Sequence, residues 1–155
     1  QTAPPHLGPP ARAATSELQA PSADGCGRKK IALLEDDLAF REALKDFLEE
    51  SGYEVLIGQS GTSGMHEVIG ADCDIILCDM MMPSVSGDMF FRSIERLRPE
   101  LCERFVFMTA YRGNAKINDF LAATRGPVLL KPFAMNELLE VIAFMQVRRT
   151  VRGLT

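Results

Sequence analysis

The stretch Ile75-Ile76-Leu77-Cys78-Asp79-Met80-Met81-Met82-Pro83 decides the fold of this chain. An apolar run ends abruptly in a carboxylate, and a proline follows four residues later. Continuous rather than alternating apolar residues mark a strand covered on both faces. An acid at the tip of such a strand is costly unless it is paired or bound to a cation. Two other runs end in the same way. Leu33-Leu34 leads into Glu35-Asp36-Asp37, and Leu129-Leu130 leads into Lys131-Pro132.

Working outward, the apolar runs are Ile31–Leu34, Val55–Ile57, Ile75–Cys78, Phe105–Met108 and Val128–Leu130. Helical spacing lies between them. Phe40, Ala43, Leu44, Phe47 and Leu48 form one stripe, stopped by Ser51-Gly52. Met65, Val68 and Ile69 form a second, ended at Gly70, and Phe90, Ile94 and Leu97 a third, ended before Pro99. Ile117, Phe120 and Leu121 form a fourth, ended near Gly126-Pro127. Leu138, Leu139, Ile142 and Met145 form a fifth, which runs into Arg148-Arg149, cations suited to the negative end of a helix dipole. Five strand–helix pairs with right-handed crossovers predict an α/β, doubly wound, five-stranded parallel sheet of flavodoxin-like order 2-1-3-4-5. Its site falls at the carboxyl edge near strands one and three.

The 155 residues suit one domain with a tail. Residues 1–28 are rich in proline, alanine, serine and glycine with few large apolar residues, and read as a flexible linker or tail. Residues 29–150 form the domain and 151–155 a short C-terminal tail. The chain begins with Gln, as expected of a processed product or a piece of something longer. A net charge of −4 gives no support to direct nucleic-acid binding. No apolar stretch has the length of a membrane helix. The four cysteines, Cys26, Cys73, Cys78 and Cys102, lack metal-binding spacing and read as reduced thiols in a cytoplasmic protein. His66, beside Glu67, reads as a surface histidine.

In the predicted order, Glu35 and Asp36 leave strand one where Asp79 leaves strand three. Three carboxylates in one cleft tolerate ionisation only around a cation. Oxygen ligands alone suit a hard ion such as Mg²⁺. A metal beside one uniquely placed carboxylate points to phosphoryl transfer onto Asp79. Thr109 then offers a hydroxyl donor and Lys131 a counter-charge. Asp37 falls one place beyond the acidic pair and reads as a surface or helix-capping acid. Met82 is expected in the core, with Met80 and Met81 shaping the mouth of the site.

From Lys30 to about Arg149 the chain resembles the receiver domain of two-component response regulators. The motifs are Glu35-Asp36, Asp79-x-x-Met82-Pro83 with Ser86-Gly87, Thr109-Ala110, and Lys131-Pro132-Phe133. The resemblance implies a CheY-like fold and a phosphoacceptor, Asp79, that takes a phosphoryl group from a phosphohistidine-bearing kinase or phosphotransfer domain. It implies Mg²⁺ held by Asp36, Asp79 and the Met81 carbonyl, with Glu35 acting through a metal-bound water. Thr109 contacts the phosphoryl group, Lys131 pairs with it, and Lys131-Pro132 is cis. The linker-like lead-in suggests a hybrid histidine kinase as parent.

Two departures stand out. Val128 occupies the place where many family members carry a switching Tyr or Phe. Met81 and Tyr111, at positions that tune water access in the family, are bulky and predict a long-lived phosphoryl group. The competing readings are a Mg²⁺-dependent aspartyl phosphatase and a flavin or dinucleotide carrier. The first typically wants a second Asp where Met81 stands, and the second lacks a glycine-rich loop after strand one.

Overall fold

Each apolar run becomes a strand, and each helical stripe a helix. A computed structural model describes residues 27–153 except 59–61, 84 and 111–112. The elements run β1 (Lys30–Leu34), α1 (Leu38–Glu50), β2 (Glu54–Ile57), α2 (Thr62–Ala71), β3 (Ile75–Asp79), α3 (Gly87–Leu97), a 3-10 helix (Pro99–Arg104), β4 (Phe105–Thr109), α4 (Ala115–Thr124), β5 (Val128–Leu130) and α5 (Met135–Gly153). The sheet order is β2-β1-β3-β4-β5, all parallel. Residues 1–26, including most of the expected linker and Cys26, lie outside the described residues, as do Tyr111 and the last two residues.

Strand side chains alternate between the two faces. On one face Ala32, Leu34, Ile76, Cys78, Phe105 and Phe107 pack with Val68 of α2, Phe90, Phe91 and Ile94 of α3, and Ile117 and Phe120 of α4. Five phenylalanines interlock there. The ring centres of Phe91 and Phe105 lie 5.0 Å apart, and those of Phe107 and Phe120 lie 5.4 Å apart, both edge-to-face. On the other face Ile31, Leu33, Ile75, Leu77, Val106, Met108 and Leu129 pack with Leu44 and Leu48 of α1 and Leu138, Ile142 and Met145 of α5. Helices on both faces explain why the central strands lack polar alternation.

The outer strands depart from that pattern. No residue of β2 is fully buried, and Leu130 of β5 is exposed, because an edge strand has a neighbour on one side only. A second difference is at the C-terminus. Val151–Gly153, at the start of the expected C-terminal tail, continue α5. Arg149 Nη1 donates to Asp74 Oδ1 at 2.9 Å, and Arg152 pairs with Glu103, fastening the last turns against the sheet's amino-terminal edge. A third difference is Met80. Its backbone N–H donates to the Met108 carbonyl, extending the β3–β4 ladder by one residue, and its side chain is buried in the core rather than at the mouth.

Register sets the site. Leu34 aligns with Cys78, Asp79 with Met108, and Thr109 with Leu130. Residues that follow β1, β3, β4 and β5 therefore emerge at one sheet edge.

Candidate functional site

Asp79 is the last residue of β3 and is buried. Its Oδ1 accepts a hydrogen bond from the Met81 N–H at 3.0 Å, which turns the chain sharply after the strand. The turn is tight. The Gly87 N–H donates to the Met80 carbonyl at 3.1 Å, and a Cβ on Gly87 would sit 2.8 Å from the Asp79 carbonyl oxygen. Only glycine fits that approach.

Glu35 and Asp36 both follow the end of β1, Glu35 buried and Asp36 exposed. Glu35 Oε1 accepts from the Asp37 N–H at 3.1 Å. Asp37 caps α1, its Oδ1 accepting from the Phe40 N–H at 3.1 Å, as expected of a capping acid. Carboxylate oxygens of Glu35, Asp36 and Asp79 all lie within 4.8 Å of one another. At that spacing each like-charged pair repels by about 3 kcal/mol at an effective dielectric of about 20.

Lys131 enters from the opposite side. Its Nζ donates to Glu35 Oε2 at 2.6 Å and to Asp79 Oδ2 at 3.1 Å, and lies 4.8 Å from the centre of the Phe40 ring. The Lys131-Pro132 bond is cis. The Lys131 N–H donates to the Thr109 carbonyl at 2.9 Å, tying β5's end to β4's. Thr109 is buried at the last position of β4.

The electrostatics follow from this packing. Burial pushes the Glu35 carboxyl above its usual range; the hydrogen bond from Lys131 pulls it down only in part, and the Asp79 charge adds to the rise. For Lys131, burial pulls its pKa down, but the hydrogen bond to Glu35 and the charges of Asp79 and Glu35 outweigh it. The ammonium is held above the ordinary lysine value. Cys78, buried in β3 behind Asp79, is pushed far up by burial and the acids around it, so its thiol stays protonated.

One lysine charge against three carboxylates leaves two negative charges unmatched, the charge of a divalent cation. The donor set is oxygen only, which fits a hard ion such as Mg²⁺.

The model of the response regulator receiver domain family matches residues 31–143. The chain belongs to that family. The receiver domain is 31% identical over 117 residues to the response regulator receiver protein CpdR of Brucella abortus, covering 76% of this chain and 96% of CpdR. It is 27% identical over 124 residues to the sensor kinase CckA of the same organism, covering 79% of this chain but only 13% of the kinase. A CheY-like receiver structure from Methanospirillum hungatei superposes with a TM-score of 0.70 at 24% identity, over 79% of this chain and 98% of that one. The flavodoxin-like order expected from the crossovers is therefore the fold of this chain.

The sequence placed Asp79, Glu35, Asp36, Thr109 and Lys131 at strand ends, and all five stand at the carboxyl edge. The first three and Lys131 form one cluster. Met81 lies at the mouth, 52% exposed. Val128 opens β5 half-buried. His66 is on the surface. The sequence reading missed Phe40, taken as an ordinary member of the α1 stripe. Its signal is its place four residues after Asp36, one turn into the helix that the acidic end begins.

Proposed function

We propose that Asp79 accepts a phosphoryl group from a phosphohistidine of a partner kinase or phosphotransfer domain. The observation that carries this reading is a single carboxylate held at a strand tip between an ammonium and two further acids. An Asp79 oxygen attacks phosphorus as the phosphorus–nitrogen bond breaks, and the bonding pair leaves with the imidazole. Lys131 moves its charge onto the phosphoryl oxygens, and the Thr109 hydroxyl donates to one of them. Glu35, Asp36, Asp79 and the Met81 carbonyl would hold Mg²⁺. Bound there, the ion supplies neutralisation of phosphoryl charge. The side chain of Met81, exposed at the mouth, slows water's return to phosphorus. The domain acts as a signalling module and not as an enzyme on small substrates, and a hybrid kinase is its favoured parent.

The test is mass spectrometry after incubation with Mg²⁺ and acetyl phosphate. One phosphoryl adduct should form on the parent chain, persist for hours, and be absent from Asp79→Asn. An adduct that survives Asp79→Asn overturns the assignment. Loss within seconds overturns the lifetime, and steady hydrolysis of a small phosphate ester favours a phosphatase.

A further inference from the structure

Lys131 is gripped from three directions, and one of them is not ionic. Two carboxylates take its ammonium at 2.6 and 3.1 Å, and the Phe40 ring faces it at 4.8 Å. The ring itself is fixed twice. The Phe40 N–H is capped by Asp37 at the first turn of α1, and its ring meets Phe133 edge-to-face with centres 5.7 Å apart. Phe133 follows the Lys131-Pro132 bond, so the ring that faces the lysine is packed against the segment after β5. Asp37, Phe40, Ala110, Lys131, Pro132 and Phe133 line one cavity of about 330 Å³ beside the acids.

The carboxylates that hold Lys131 are the same ones that would hold a divalent cation. A cation among them takes over their charge and repels the ammonium. Lys131 then loses its ionic partners at the stage when it is needed for the phosphoryl oxygens. An aromatic face is the one partner that a metal does not compete for, and it favours a cation without fixing it by a hydrogen bond.

We propose that Phe40 is a positioning residue, whose ring keeps the Lys131 ammonium at the site after the carboxylates turn to a metal, so that it is in place for the phosphoryl group. This rests on the phosphoacceptor reading of Asp79. It gives Asp37 a further task, since the cap on the Phe40 N–H sets the turn that aims the ring.

The test compares Phe40→Leu, Phe40→Tyr and Lys131→Ala with the parent chain. Beryllofluoride is titrated at saturating Mg²⁺, and the Lys131 ε-methylene protons are followed by NMR without metal. In the parent, those protons should be displaced upfield by the ring, and the displacement should vanish in Phe40→Leu and return in Phe40→Tyr. Beryllofluoride should bind about fivefold more weakly to Phe40→Leu, the loss of one partly desolvated cation–π contact. Phe40→Tyr should stay within about twofold of the parent, since a phenol ring keeps the π face. Mg²⁺ alone should bind Phe40→Leu as it binds the parent. Equal weakening by Leu and Tyr makes Phe40 a packing residue and overturns the inference. Parent-like binding by Phe40→Leu while Lys131→Ala binds weakly also overturns it, and leaves the phosphoacceptor reading standing. Parent-like binding by Lys131→Ala overturns the inference together with the role given to Lys131, whereas loss of the phosphoacceptor reading itself shows as parent-like beryllofluoride binding by Asp79→Asn.

Discussion

Lys131 is the residue on which the electrostatics of this site turn. Without it, Glu35 and Asp79 face each other buried and unpaired, an arrangement that typically costs about 3 kcal/mol or more. Lys131→Met should therefore lower stability by about that amount at neutral pH without metal. Added Mg²⁺ should recover much of it and should bind the variant more tightly than the parent, because its competitor is gone. The pH dependence has a definite sign. Lys131 is shifted up, so its contribution is complete below the ordinary lysine value and is lost as pH rises through its higher folded value. The variant should lack that alkaline loss. Glu35 is also shifted up, so folding favours its protonated form; its contribution is present at acid pH and lost as pH rises through its folded value. Without Lys131 that shift grows, and the deficit should shrink as the solution is acidified. Urea denaturation across pH checks this, and a deficit indifferent to pH and to Mg²⁺ would sink it. These acids and the lysine were legible in the sequence because a charge that ends an apolar run is conspicuous. Phe40 was not, since an aromatic in an amphipathic stripe reads the same whether it faces core or site. Met80 was misplaced for a related reason: strand register beyond Asp79 is set by pairing with β4, which no local pattern encodes.

At the scale of elements, the turn between β3 and α3 carries the placement of Asp79. The N-cap of α3 and its first residue behave differently. Ser86 occupies the N-cap of α3 but makes no side-chain capping bond. Gly87 sits where an added Cβ would lie 2.8 Å from the Asp79 oxygen and 2.9 Å from the Met80 Cα, both backbone atoms that cannot swing away. Gly87→Ala should cost about 1–3 kcal/mol by forcing the backbone apart, and should weaken beryllofluoride binding because Asp79 moves with it. Ser86→Ala should be close to neutral on both counts. Equal effects from the two substitutions would show that the close approach is not what matters. The helices and strands themselves were largely legible, because their apolar periods differ and glycine, serine and proline punctuate them. The 3-10 helix Pro99–Arg104 was not foreseen. It is fastened by long-range contacts around it, Arg98 Nη1 donating to the Ile69 carbonyl at 2.8 Å and Arg104 Nη1 to the Cys73 carbonyl at 2.7 Å.

For the whole molecule, the question is how far a change at Asp79 travels. The five-strand order was legible from the handedness of parallel crossovers, not from any one residue. What the order cannot convey is which parts are held and which are loose. Val128 pairs in register with Phe107 and is half-buried, and a β-branched side chain has no long swing to make. α5 is held along its length, by Leu138, Ile142 and Met145 in the core and by Arg149 on Asp74 at the far edge of the sheet. A coupled change needs an element with two discrete packings, and the short Val128 and the anchored α5 argue that neither β5 nor α5 supplies it. Amide chemical shifts should therefore change on addition of Mg²⁺ and beryllofluoride mainly in the segments that follow β1, β3, β4 and β5. Val128 and the outward residues Phe144 and Val147 of α5 should move little. Val128→Tyr, which restores a side chain able to swing, should carry the shifts outward into β5 and α5. Shifts at Val128, Phe144 and Val147 of the parent chain as large as those beside Asp79 would show that this domain transmits through β5 and α5 without an aromatic switch.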